Sequence, residues 1–411
     1  MPGDKSISHR YVLLGSLAEG TTLVSGLAPG ADVASSVACM QALGAAITRT
    51  GPDALQIKGR GRVRLAPADG DLNCNNSGTT MRLLAGVVAS HPFRSRLIGD
   101  ASLSRRPMRR VIEPLAAMGA EISARDGRAP LEIVGGNLQG IDWTPQVASA
   151  QIKSAILLAG LAASGTTTVR EPMPTRDHTE RAFDLFGITH QSRPGVSSLQ
   201  GGQLPVAPAI PLRVPGDPSS AAVWAAIAAS HPGWAIEIEG VCLNPLRLGF
   251  VHALSKMGAE VRITETARVG GEAVGLLRVA YGSPKAVVID PPSVPSLIDE
   301  LPVLAAAAAL GAGLRVSGAS ELRVKESDRI AALADGFRRL GIQVTEKPDG
   351  FDVDGGQRAT GGVVDAHLDH RLVLAFTVLA LSATGPTTIT GANAVSVSYP
   401  GFHADLMRLA Q

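Results

Sequence analysis

Cations beside small hydroxylated residues recur along this chain of 411 residues. The first group is Lys5-Ser6-Ile7-Ser8-His9-Arg10, just after Gly3. Two cations with hydroxyls between them, at a turn leading into an apolar segment, make an anion cradle. The hydroxyls and free N–H groups donate, and the cations neutralise. A second group, Asn75-Asn76-Ser77-Gly78-Thr79-Thr80-Met81-Arg82, runs straight into Leu83-Leu84. Gly78 would let a ligand come close to the backbone, and an arginine in a first helical turn opposes the helix dipole unless an anion is also there. No Gly-Lys-Ser/Thr occurs, so this is not a nucleotide P-loop.

Further groups repeat the theme. Ser104-Arg105-Arg106-Pro107-Met108-Arg109-Arg110 is rich in arginine, and Pro107 reads as the first residue of a helix, aiming Arg106 across its mouth. Ser149-Ala150-Gln151-Ile152-Lys153-Ser154 opens another apolar run and suits a polyhydroxy, anionic small molecule. Arg176 adds a cation in a loop, where the neighbouring His178 reads as a satisfied polar residue rather than a catalyst. Asp299-Glu300 precede an alanine-rich run, as a helix cap or as a general base held by the dipole, and spacing favours the cap. Lys325 and Arg329, four apart, would project from one helix face with Glu326 beside them. In His367-Leu368-Asp369-His370-Arg371 a metal site is disfavoured, because Arg371 repels a cation. Phosphate and carboxylate groups are the natural partners of so many cations at helix starts.

The elements that must hold these groups follow a repeat. A helix ending in leucine and glycine, followed by a β-branched strand, recurs with its glycine at Gly44, Gly119, Gly187, Gly258 and Gly341, at intervals of roughly 70–80 residues. Glycine suits the left-handed residue just beyond a helix. A sixth copy would begin near Leu406-Met407-Arg408-Leu409. Pro2-Gly3-Asp4-Lys5-Ser6 recurs as Pro215-Gly216-Asp217-Pro218-Ser219, so six α/β units form two halves that part at 210–217.

Composition narrows the function classes. A hydrophobic fraction of 45% is ample for real cores and excludes wholesale disorder. A net charge of +2 and 3% aromatic residues supply neither a counterion-releasing surface nor stacking platforms, so no nucleic-acid partner is expected. The 3 cysteines lie far apart with no C-x-x-C, which reads as a reduced cytosolic chain without structural zinc. The first residues carry no apolar leader. The longest apolar runs, 301–314 and 372–383, fall short of the about 20 residues of a membrane span and read as buried helices. A cytoplasmic protein with no membrane partner is expected.

In order along the chain, Pro-Gly-Asp-Lys-Ser-Ile-Ser-His-Arg (from Pro2), Asn-Ser-Gly-Thr-Thr-Met-Arg-Leu-Leu (from Asn76), Ser-Ala-Gln-Ile-Lys-Ser-Ala (from Ser149), Leu-Arg-Val-Lys-Glu-Ser-Asp-Arg (from Leu322) and Asp-His-Arg (from Asp369) resemble the motifs of 5-enolpyruvylshikimate-3-phosphate synthases. The resemblance covers essentially the whole chain. It implies a two-domain inside-out α/β barrel, each domain three βαβαββ units, with domains 4–214 and 215–411 and residues 1–3 as a short crossing. It also implies transfer of the enolpyruvyl group of phosphoenolpyruvate to the 5-hydroxyl of shikimate 3-phosphate, releasing phosphate, in the shikimate route to aromatic amino acids. No cofactor or metal is implied; the protein would be a monomer and a glyphosate target.

By the same resemblance, Lys5, Ser6, Arg10, Ser149, Ala150, Gln151, Arg176, Asp299 and Lys325 would bind shikimate 3-phosphate. Lys5, Gly78, Arg106, Gln151, Arg329 and Arg371 would bind phosphoenolpyruvate. Asp299 corresponds to the family's proton acceptor and Glu326 to its proposed proton donor, with Lys5 also counted as catalytic. The sequence departs from the family in three places. About ten residues that usually form a strand before Pro2 are missing, Asn75 replaces a more usual glycine, and Val397 stands where some members carry a phosphoenolpyruvate-binding lysine. The related transferase acting on UDP-N-acetylglucosamine typically begins with Lys-Asn and uses a loop cysteine. Here Ser6 follows Lys5, and no cysteine lies between Cys74 and Cys242. A non-catalytic anion-binding relative would not need both Asp299 and Glu326.

Overall fold

The computed structural model describes residues 1–61 and 65–409. The chain divides into two compact units, one of Gly3–Val214 with Val269–Glu272, the other of Met1–Pro2, Pro215–Arg268 and Ala273–Gln411.

In the first unit, helices Lys5–Leu17, Gly78–Ala89 and Ala150–Gly160 carry apolar residues on every side. A helix without a polar face has to be interior, and nearly every residue of the three is buried. Small residues let them approach closely: a Cβ on Gly86 would fall 2.2 Å from the Ala155 carbonyl oxygen. Helices Ala31–Ala42, Arg109–Ala117 and His178–Leu185 bury only part of their surface. Three four-stranded sheets accompany them. Each joins a short parallel pair to an antiparallel hairpin, as where Thr21–Ser25 runs parallel to Leu212–Arg213 and antiparallel to Ala54–Lys58. Helices inside and strands outside make this an inside-out α/β architecture, its strands in separate sheets.

The second unit repeats the plan. Pro218–Ser230, Leu301–Leu310 and His370–Ala380 pack on one another as interior helices. Gly249–Lys256, Arg329–Arg339 and Phe402–Leu409 are the partly exposed ones. The last occupies the position expected for the sixth repeat. Among the described residues the sheets here have three, four and two strands. The apolar runs end as helices at Leu310 and Ala380.

The repeat glycines do what their spacing requires. Gly44, Gly119, Gly187, Gly258 and Gly341 have φ of 92°, 111°, 68°, 94° and 82°, each two residues past the end of an outer helix. A side chain there would be strained. The turn leads the chain into an antiparallel hairpin.

Candidate active site

In the first unit, Asp4 caps helix Lys5–Leu17 by accepting from the Ile7 N–H at 2.9 Å. That cap sets Lys5 in the first turn, where its ammonium pairs with Asp32 at 2.8 Å. Arg10, one turn on and buried, donates from Nε to Thr179 Oγ1 at 2.7 Å, from Nη1 to the Ser6 carbonyl at 2.8 Å and from Nη2 to Ser154 Oγ at 2.6 Å. Between them His9 is fully enclosed. Burial, helped by the charges of Lys5 and Arg10 and opposed by Asp32, pulls its pKa down to about 3. The positive charge of this segment therefore comes from Lys5 and Arg10 alone.

The second interior helix starts at Gly78, capped by Ser77, which accepts from the Thr80 N–H at 3.1 Å. Asn75, in place of the usual glycine, adopts φ 49°, a left-handed conformation that asparagine tolerates better than most residues. Arg82 bridges to the third helix by donating to Gln151 Oε1 at 2.7 Å, and Gln151 Nε2 donates to Thr79 Oγ1 at 2.9 Å. Ser149 is the cap of that third helix, accepting from the Ile152 N–H at 3.5 Å, so Ala150 and Gln151 form its first turn. Arg106 is buried and donates to Asn76 Oδ1 at 2.6 Å. Its helix begins only at Arg109. Pro107 is therefore not its first residue, and Asn76 rather than a helix mouth orients Arg106. Arg176 lies in the loop before helix His178–Leu185. Lys5, Ser6, Arg10, Gly78, Arg106, Ser149, Ala150, Gln151 and Arg176 all fall in this unit.

In the second unit Asp299 precedes helix Leu301–Leu310, and its Oδ1 lies 3.5 Å from Lys325 Nζ and 3.4 Å from Arg329 Nη1. Glu300 occupies the cap position but makes no side-chain cap bond. Its carboxylate instead accepts from Ser219 Oγ and lies 3.8 Å from Arg371 Nη1. The cap expectation thus fails for a tertiary reason, since Ser219 and Arg371 compete for the carboxylate. Lys325 and Arg329 do not share a helix either. Lys325 ends the 3₁₀ turn Ser320–Val324, and Asp328 caps a new helix starting at Arg329. Both cations nonetheless reach Asp299.

Arg329 organises this group. It is buried, with Nε donating to Asp369 Oδ2 at 2.8 Å, Nη2 to Asp369 Oδ1 at 3.2 Å, and Nη2 also to Glu326. Burial alone would depress its pKa, but Asp369, Glu326 and Asp299 more than offset that and push it above its ordinary value. Asp369, absent from the sequence-derived site, also accepts from the Arg371 N–H at 2.9 Å and so caps the helix that carries Arg371. Its place just before an apolar run was the available signal. Arg371 Nε is buried with no hydrogen-bond partner among the described residues. A buried guanidinium with an unused donor suits an arriving anion.

Asp177, His178 and Glu272 place potential ligand atoms within 4.8 Å of one another. Arg181 Nε bonds Asp177 at 2.9 Å and lies 3.5 Å from Glu272, so a guanidinium already neutralises this cluster. His178 is the satisfied polar residue its sequence suggested, 2.6 Å from Glu272. Burial would raise the Glu272 carboxyl, but His178 and Arg181 more than offset it and hold it below its ordinary value. A lowered folded pKa stabilises the fold above the unfolded value and is lost as pH falls through the folded one. Glu272→Gln is therefore expected to lower Tm at neutral pH, with the difference shrinking below about pH 4.5. A difference unchanged down to pH 3 would contradict this.

Interior helices with capped N-termini and buried arginines, and with carboxylates set among the cations, suit the holding of small, multiply charged anions. Residues 1–406 match the EPSP synthase (3-phosphoshikimate 1-carboxyvinyltransferase) family, and the chain belongs to it. It is 50% identical over 407 residues to the 3-phosphoshikimate 1-carboxyvinyltransferase of Acidithiobacillus ferrooxidans (strain ATCC 53993 / BNL-5-31), covering 98% of this chain and 93% of the relative. It is 48% identical over 412 residues to that of Halorhodospira halophila, covering 100% and 92%. The solved EPSP synthase of Acinetobacter baumannii superposes with a TM-score of 0.86 at 40% identity, covering 99% of this chain and 94% of that one. No helix among the described residues is long and apolar enough to cross a membrane.

Proposed function

We infer that this chain transfers the enolpyruvyl group of phosphoenolpyruvate to the 5-hydroxyl of shikimate 3-phosphate, releasing phosphate. The observation that carries the reading is Asp299 set against Lys325 and Arg329, with Glu326 on the same guanidinium. Asp299 takes the proton of the 5-hydroxyl as its oxygen attacks C2, and Glu326 delivers one to C3. The tetrahedral intermediate then loses phosphate and a C3 proton, restoring the double bond. Phosphoenolpyruvate bound against Arg329 draws that guanidinium from Glu326, which suits a group that must arrive at C3 carrying a proton. Lys5, Ser6, Arg10, Ser149, Ala150, Gln151, Arg176, Asp299 and Lys325 hold shikimate 3-phosphate. Lys5, Gly78, Arg106, Gln151, Arg329 and Arg371 hold phosphoenolpyruvate, with Lys5 touching both.

Asp32 pairs with Lys5 at 2.8 Å and partly compensates its charge. The protein works as a cytoplasmic monomer, without cofactor or metal. The test is product formation from shikimate 3-phosphate plus phosphoenolpyruvate. UDP-N-acetylglucosamine in place of shikimate 3-phosphate should give none, and the reverse preference would overturn the reading.

Gly78 supports a further prediction. A Cβ there would lie 2.8 Å from Arg82 Nη1 and 3.2 Å from Arg106 Nη1. Gly78→Ala must therefore displace the ends of two arginines, one of them a phosphoenolpyruvate ligand. Glyphosate is expected to compete with phosphoenolpyruvate, and Gly78→Ala to raise its inhibition constant more than the KM for phosphoenolpyruvate. Equal changes in both, measured by steady-state inhibition, would count against this.

A further inference from the structure

Beneath the first-unit anion groups lies a buried ionic network that the reaction does not use. Lys153, in the first turns of helix Ala150–Gly160, has its side chain 2% exposed. Its ammonium lies 3.0 Å from Glu171 Oε2, 2.8 Å from Glu180 Oε1 and 3.5 Å from the Thr175 carbonyl oxygen. An ammonium has three N–H donors, and three acceptors from three segments meet it. Burial works against the charge, but the two carboxylates more than offset it and keep the lysine pKa above its ordinary value.

The partners give the network a purpose. Glu171 opens the loop that carries Arg176, Thr175 directly precedes Arg176 in it, and the Thr175 hydroxyl donates to Glu171 Oε1. Pro172 and Pro174 lie in that loop and have no N–H to give, so its backbone cannot be held by a regular ladder. Glu180 fixes the start of the following helix and accepts from Ser197 Oγ at 2.6 Å. Lys153 itself sits on the helix whose cap and first turn are Ser149, Ala150 and Gln151, and its N–H bonds the Ser149 carbonyl at 3.1 Å. One ammonium therefore couples the Ser149–Gln151 turn to the Arg176 loop.

We propose that Lys153 is a positioning residue that, through Glu171, Thr175 and Glu180, sets Arg176 against the helix start at Ser149–Gln151 for binding of the phosphorylated substrate. This rests on the assignment of both segments to shikimate 3-phosphate. Lys153 touches no substrate; it fixes the spacing between two groups that do. Its loss weakens shikimate 3-phosphate binding more than phosphoenolpyruvate binding, which draws only Gln151 from these two segments, and leaves the proton-transfer groups intact.

A single Lys153→Met change leaves two carboxylates buried without a counter-ion and can unfold the protein. The informative variant is therefore K153M/E171Q/E180Q, which removes every charge of the network at once. Thermal melting should show this triple variant more stable than K153M alone. Calorimetry should nonetheless show its Kd for shikimate 3-phosphate raised by about 10–100-fold, the size expected from misplacing a binding group by an ångström or so. KM for phosphoenolpyruvate should rise by a clearly smaller factor, since of its ligands only Gln151 lies in the segments that Lys153 couples. With Arg176→Ala added, the triple variant should bind shikimate 3-phosphate little worse than Arg176→Ala alone does, because coupled residues are non-additive. Wild-type affinity in a folded triple variant, or additive effects with Arg176→Ala, would overturn the proposal. A wild-type protein that fails to bind shikimate 3-phosphate would instead overturn the substrate reading on which it rests.

Discussion

Asp299→Asn is expected to lower turnover by about 10²–10⁴, and Glu326→Gln by a similar factor, the usual range for a positioned general base or acid. Each substitution keeps the shape of the side chain and removes its ability to exchange a proton. Neither carboxylate can neutralise a substrate anion, a role we propose for the cations beside them. Asp299 faces Lys325 and Arg329, and Glu326 faces Arg329. Substrate affinity measured by calorimetry should accordingly survive, with the loss confined to kcat. Lost shikimate 3-phosphate binding together with near-normal residual turnover would mean that the two carboxylates are structural.

Asp369→Ala should have the largest effect on stability. Arg329 is 2% exposed and Asp369 0%, and the carboxylate accepts from Nε and Nη2 of the arginine. Removing the carboxylate leaves a buried guanidinium short of counter-charge, which costs about 3–5 kcal/mol. Loss of the cap on the Arg371 N–H adds about 1 kcal/mol. Arg329 and Arg371, the arginines we propose as phosphoenolpyruvate ligands, lose their anchor together, so KM for phosphoenolpyruvate should rise in whatever fraction remains folded. Urea unfolding checks the first effect and steady-state kinetics the second. A stability change under about 1 kcal/mol would show that Glu326 and Asp299 suffice to hold Arg329.

What the sequence disclosed was local. The repeat glycines could be placed because the left-handed turn after a helix is a requirement of a few consecutive residues, and all five carry the positive φ that their spacing implied. The interior helices Leu301–Leu310 and His370–Ala380 were legible as apolar runs. Partners far apart along the chain were not. Glu300 reads as a cap until Ser219, 81 residues away, claims its carboxylate. Lys325 and Arg329 read as one helix face because spacing cannot show that Asp328 starts a new helix between them. The contribution of Asp369 is a tertiary fact, because its main partner lies 40 residues earlier. The pairing of His178 with Glu272 spans 94 residues and left no trace in either local motif.

The central claim is that carbon, not phosphorus, is attacked: the enolpyruvyl group moves and phosphate leaves with the oxygen that joined it to C2. Phosphoenolpyruvate labelled with ¹⁸O at that bridging position tests this directly, with shikimate 3-phosphate as acceptor and mass spectrometry of both products. The account predicts that the label appears in the released phosphate and is absent from an enolpyruvyl ether product. Label retained on the three-carbon fragment, or phosphate transferred to the acceptor, would contradict it.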